Sequence, residues 1–177
     1  MGIELSIWQI SPSDLDQLLD SEDSVEELID SRFPPYSDED NDFEDLESKE
    51  SELADEGLYL DKGWHLLNYL ITGDSEGGDY PLAHAIMAGH LLHESWNDLV
   101  YSRVDEVKDV AKALSDLSEE DLRKNCNHES IINAKIYKFP KGVSEYDLIE
   151  TMDDFHRLKE YYQNAAKNGN AILRFFH

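Results

Sequence analysis

The sequence predicts an α+β fold in which strands at the two chain ends pair in a small mixed or antiparallel sheet, packed by several helices. Three observations carry that prediction. Residues 2–10 alternate apolar and polar, residues 171–176 are an apolar run after an Asn-Gly-Asn break, and helix-start signals punctuate the chain between them. At 177 residues the chain has the length of one domain, enough to enclose a hydrophobic core.

In the first strand Ile3, Leu5 and Ile7 fall on one side and Glu4 and Ser6 on the other, the alternation of a half-buried strand. Ser11-Pro12-Ser13-Asp14 stops it. The Ser11 hydroxyl can accept an orphan amide, Pro12 suits the first helical position, and Asp14 stands where a capping acid belongs. A short helix through Leu15, Leu18 and Leu19 follows. Ser24, with Glu27 three residues on, predicts a second helix carrying Val25, Leu28 and Ile29, which Pro34-Pro35 forbids to continue.

Residues 37–56 hold eleven acidic residues against Lys49 alone, so they read as a mobile acidic loop or a marginal helix. Leu58 and Leu60 then lead into Asp61, a candidate cap for a helix over 62–72 that closes at Gly73. Its buried face is Trp64, Leu67 and Ile71 with Leu66 and Leu70; Lys62, His65, Tyr69 and Thr72 form another stripe. Pro81 opens a turn or short helix ending at Gly89. Residues 90–101 fit either a helix or two short strands.

Ser102 with Asp105 predicts a helix bearing Val107, Val110, Ala111 and Leu114, and Ser118 with Asp121 a shorter one. A strand is expected within 131–139, before the Pro140-Lys141-Gly142 turn. The longest helix should start near Ser144, with Asp147 as the capping acid, and carry Leu148, Met152, Phe155, Tyr162 and Ala166 along one side.

Forty acidic residues against fifteen basic ones give a formal charge of -25. That field repels phosphate backbones and anionic bilayers and draws in cationic protein surfaces, so the expected partner is a basic protein, with no nucleic acid and no membrane. Cys126 is the lone cysteine, which excludes an intrachain disulfide and fits a reducing compartment. No stretch reaches the roughly 20 apolar residues that span a bilayer, and the start lacks a basic, then apolar, secretory leader. The expectation is a cytoplasmic protein.

From Leu60 to Leu67 the chain reads Leu-Asp-Lys-Gly-Trp-His-Leu-Leu, continuing to Leu70 and Gly73. With the Met1-Gly2 start, Val107 to Leu114 before Ser118-Glu119-Glu120, Ile136-Tyr137, and Tyr161-Tyr162 with Ala165-Ala166 before Gly169, this resembles the YfbM-like family. That resemblance implies a small bacterial α+β protein without an assigned activity, and it supplies no catalytic residues. The acidic stretch at 37–56 looks expanded relative to the family pattern, and Ala88-Gly89 stands where paired glycines are expected.

Asp61, Lys62, Trp64, His65 and Tyr69 are the candidate ligand-binding residues, because a helix start offers free amides beside an acid, an ammonium and an imidazole suited to a small anion. The plainer reading is that Asp61 caps the helix, Trp64 fills the core and His65 bonds to a neighbouring strand. His84, His90 and His93 are the candidate metal ligands, since imidazoles three residues apart share a helical face. No His-Glu-x-x-His run supports them, so satisfied or surface histidines and no metal are expected. Serine-nucleophile, P-loop, dinucleotide and calcium-loop templates are all absent, and no cofactor is predicted.

The reading that follows is a non-enzymatic protein-binding module, of the immunity-protein kind, whose acidic surface engages a basic partner. The alternative is a small-molecule enzyme or ligand-binding domain centred on the Asp61-Lys62-x-Trp64-His65 helix start.

Overall fold

The computed structural model describes residues 2–32, 57–93 and 98–177. The acidic stretch at 37–56 lies outside them. Strand β1 is Leu5–Ile10, followed by helices α1 (Pro12–Asp20) and α2 (Glu22–Arg32). Strand β2 (Gly57–Leu60) leads to α3 (Trp64–Thr72), a 3-10 helix at Leu82–Ala85, and strands β3 (His90–Leu91) and β4 (Leu99–Ser102). Helices α4 (Val104–Asp116), α5 (Glu119–Lys124), α6 (His128–Asn133) and α7 (Glu145–Asn168) precede strand β5 (Ala171–Phe176).

The sheet is antiparallel throughout, in the order β2-β1-β5-β4-β3, so the two terminal strands lie side by side at its centre. Leu5 faces Phe176 and Ile10 faces Ala171 in that register. Backbone bonds between Glu4 and His177 extend the pairing in both directions, at 2.8 and 3.1 Å.

Strand β1 is buried on both faces, contrary to the half-buried strand its alternation predicts. Leu5 and Ile7, with Ile172 of β5, pack against α3, α4 and α7. Trp8 and Ile10, with Ala171 and Leu173, pack against Leu15, Leu18, Val25 and Ile29 of the α1-α2 hairpin. Ser6 is the polar exception that made the strand look one-sided, and its hydroxyl bonds to the His177 ring at 3.1 Å.

Several start signals act as predicted. Ser11 accepts the Asp14 amide at 3.1 Å with Pro12 opening the helix, and Ser118 with Asp121 and Ser144 with Asp147 form reciprocal capping boxes. Gly73 and Gly169 end α3 and α7 in the left-handed conformation, at φ 77° and 69°.

Other signals resolve differently. Helix α2 starts at Glu22, with Ser21 rather than Ser24 as the capping hydroxyl, because Ser21 Oγ accepts the Ser24 amide. Asp61 does not cap α3: the helix begins at Trp64 and the Asp61 carboxylate accepts the Lys62 amide at 2.7 Å. Ser102 is the last residue of β4, and Glu106 takes the Arg103 amide at 2.8 Å to start α4. The strand expected within 131–139 is replaced by α6, which Asn127 caps through the Ser130 amide at 3.1 Å. Positive φ at Lys135 and Lys138 then breaks any extended run. The residues on either side of 94–97 form two short strands instead of a helix.

Candidate functional site

The helix start proposed from sequence is a structural junction. Trp64 is buried and donates its indole N–H to the Ile3 carbonyl at 3.0 Å, with its ring edge-on to Phe176 at 5.0 Å between centroids. His65 Nε2 bonds to the Ser75 carbonyl at 2.8 Å, and its Nδ1 accepts the Tyr137 amide at 2.9 Å. Those two contacts require the Nε2–H tautomer and leave neither ring nitrogen for a ligand. The partners are loop backbone groups, not a strand.

Lys62 lays its ammonium between Glu4 at 3.4 Å and Asp61 at 3.7 Å. Hydrogen bonding to Glu4 raises its pKa, while Tyr59 donates its phenol to Glu4 and holds that carboxyl below the usual range. Tyr69 is buried in the main core. Of the five predicted ligand residues, Asp61 lines an open cleft.

That cleft, about 560 Å³, lies between α7 and the β2-α3 turn. Its wall on α7 is Asp147, Glu150, Thr151, Asp153, Asp154 and Arg157; Tyr59, Asp61, Gly63 and Phe139 complete it. Five carboxylates therefore meet one guanidinium, and that guanidinium is already engaged: Arg157 Nη1 bonds to Asp154 Oδ1 at 2.8 Å and Nη2 to the Tyr59 carbonyl at 3.2 Å. Burial pushes the Asp154 carboxyl up despite the Arg157 charge beside it. Tyr146 and Ile149, 67% and 52% exposed, stand on the same helix within one turn of Glu150.

The candidate metal histidines separate. His84 Nδ1 and His90 Nε2 approach the same oxygen of Glu106, at 3.7 and 2.8 Å, whereas His93 turns away and its Nε2 bonds to the Leu18 carbonyl at 2.6 Å. Among the described residues no group of three or more His, Cys, Asp or Glu side chains is placed to hold a metal ion.

Behind His84 lies a residue that sequence reasoning missed. Arg174 is wholly buried, with Nη1 on the Tyr162 hydroxyl at 3.0 Å and Nη2 on Ser102 Oγ at 2.8 Å, while Nε has no partner. Ser102 Oγ and Glu106 both approach Nδ1 of His84, so the set cannot relay a proton through opposite ring nitrogens as a nucleophile triad does.

Residues 1–175 match the family model described as Domain of unknown function (DUF1877). The chain belongs to this family.

Its fold is also that of a solved structure, a protein of unknown function, YfbM from Escherichia coli. The two superpose with a TM-score of 0.69, over 98% of this chain and 99% of that one, at 22% sequence identity. At that identity the likeness speaks for the fold alone. No curated protein matches the chain.

For this DUF1877 chain the cleft carried a readable signal. Asp147, Glu150, Asp154 and Arg157 recur at three- and four-residue spacing, which sets them on one face of α7. Arg174 had one as well, as the lone charge inside the apolar run Ala-Ile-Leu-Arg-Phe-Phe. Among the described residues no helix is long and apolar enough to cross a membrane.

Proposed function

We propose that this chain is a non-enzymatic binding module of the bacterial cytoplasm, whose acidic cleft on α7 receives a Lys- or Arg-bearing segment of a basic protein. An immunity-like role, neutralising a cationic toxin or nuclease domain, is the biological form this chemistry fits.

The supporting observation is the cleft lining: five carboxylates around one guanidinium that is already paired. Arg157 offsets Asp154 and Lys62 stands 3.7 Å from Asp61, but the lining stays net negative, so an ammonium or guanidinium gains more here than on a dispersed acidic surface. Asp154 strengthens the reading. Burial of its charge is unfavourable to the fold, and groups kept against stability cluster at functional sites. Tyr146 and Ile149, exposed on the same helix, offer apolar surface to the aliphatic stems of lysine or arginine.

A second reading, a binding site for a small organic cation, is favoured by the volume of about 560 Å³, which falls within the range of small-molecule pockets. It keeps Asp61 as a lining residue but moves the site from the α3 start to α7.

Affinity capture at low salt tests both readings, using wild-type protein and a variant carrying Glu150→Gln, Asp153→Asn and Asp154→Asn. The protein reading expects a basic protein retained by the wild type and lost from the variant. Equal retention by both would refute the cleft as the contact surface. Retention of no protein, with saturable binding of a polyamine that the variant loses, would favour the second reading.

A further inference from the structure

In a chain of forty acidic and fifteen basic residues, positions 130–144 hold Lys135, Lys138 and Lys141 and no acid. All three lysines are exposed, and none forms an ion pair among the described residues. We propose that this lysine corner, between α6 and α7, is the second half of the contact face. The cleft takes the partner's lysine or arginine, and Lys138 with Lys141 takes a carboxylate on the same segment, which rests on the reading of the cleft as the cation site. The partner segment is then of mixed charge, with an acid a few residues from its base, and not an uninterrupted basic tract.

Phe139 sets the placement. It lines the cleft, so Lys138 directly precedes a cleft residue and Lys141 follows it by two positions, at most about 7 Å of backbone. The backbone of the corner is fixed. Ile136 is buried in the main core, the Tyr137 amide donates to His65 Nδ1 at 2.9 Å, and the Tyr137 hydroxyl accepts the Ile3 amide at 2.9 Å. The Tyr137 ring stacks on Trp64 with centroids 6.1 Å apart, and the Lys138 ammonium stands 5.4 Å from the Tyr137 centroid. A backbone held in this way presents charge without the ordering cost that a loose loop adds.

Lys135 and Lys138 also hold positive φ, 54° and 68°, a region that glycine enters freely and other residues enter against preference. Ammonium groups are therefore displayed at two turns where the backbone favours glycine or asparagine. Residues kept in such conformations cluster at binding surfaces.

The two signs of charge meet at the cleft edge. Asp147, Glu150, Asp153 and Asp154 form the α7 wall, and a basic tract lying along it runs into like charge at Lys138 and Lys141. Like charges brought together across an interface exclude wrong partners. An extended segment with a base in the cleft and an acid two to four residues on spans about 7–14 Å and satisfies both ends. A free anion is repelled by the formal charge of -25, so a carboxylate reaches the corner when it is tethered to a base that the cleft holds.

Calorimetry at physiological salt with two peptides tests this, one with lysines spaced by neutral residues and one with a glutamate three residues from its central lysine. Each is titrated into the wild type, into a Lys138→Gln, Lys141→Gln variant, and into the Glu150→Gln, Asp153→Asn, Asp154→Asn variant. The lysine variant is expected to weaken the mixed-charge peptide by about two- to tenfold and to tighten the all-basic one. Lys138→Arg, Lys141→Arg keeps both charges and should bind the mixed-charge peptide as the wild type does. A change of the same sign for both peptides, or no change for the mixed-charge one, overturns the lysine corner; the cleft still stands if the carboxylate variant loses both peptides. Equal behaviour of the wild type and the carboxylate variant towards both peptides overturns the cleft reading and the corner with it.

Discussion

Arg157 donates from Nη1 to Asp154 Oδ1 at 2.8 Å, so the acidic cleft already holds a guanidinium of its own. That contact is what a partner's cation has to supplement or displace. Arg157 is half exposed and also bonds to the Tyr59 carbonyl, so it is tethered at the cleft wall. Replacing it with Gln leaves the five carboxylates without a resident charge. Arg157→Gln is expected to bind a lysine peptide several-fold more tightly at low salt, with the gain disappearing as ionic strength rises. Calorimetry at two salt concentrations measures it.

Asp154→Asn is expected to cost no stability at neutral pH, or to add some. Burial outweighs Arg157 in setting the Asp154 pKa, so the folded value is raised above 3.8. The favourable contribution of this carboxyl is present below 3.8 and is lost as pH rises through the folded value. The neutral amide removes that loss. A fall of more than about 1 kcal/mol in the unfolding free energy from urea titration would show that the ion pair outweighs the burial.

Gly89→Ala and Gly63→Ala separate a filled position from an open one. A Cβ at Gly89 would stand 2.4 Å from Arg174 Nη2 and 2.8 Å from the Tyr101 carbonyl, so the guanidinium and β4 must shift. The expected cost is about 1–3 kcal/mol. At Gly63 the nearest atom is Asp154 Oδ2 at 4.0 Å and φ is -75°, and the cost should stay below about 1 kcal/mol. Thermal or urea unfolding of the pair reads the difference.

His65→Ala should remain folded but lose about 1–3 kcal/mol, because the Ser75 carbonyl and the Tyr137 amide each lose a partner. Its affinity for a cationic peptide should equal that of the wild type. A loss of binding without loss of stability would return the site to the α3 start.

These expectations show where the sequence was legible. Ser118 with Asp121 and Ser144 with Asp147 were readable because a capping box lies within four residues and its chemistry is local. The central pairing of β1 with β5 was readable from apolar runs at the two ends. Ser102 misled, since an acid three residues on looks like a cap; its real partner, Arg174, is 72 residues away and no local pattern encodes that contact. The strand expected within 131–139 failed for a related reason. Ile131, Ile136 and Phe139 are apolar because they pack on the core, and periodicity over so few residues does not separate a helical turn from a strand. The cleft needed the fold to bring Tyr59 and Asp61 against α7, although the acidic stripe on that helix was visible.

The most direct test of the cleft is amide NMR of the labelled chain titrated with a short lysine- and arginine-containing peptide at low and then physiological salt. Saturable shifts are expected, concentrated at Tyr59, Gly63, Thr151 and Asp154, weakened by salt and abolished by the Glu150→Gln, Asp153→Asn, Asp154→Asn variant. Shifts scattered over the acidic surface, or unaltered in that variant, would contradict it.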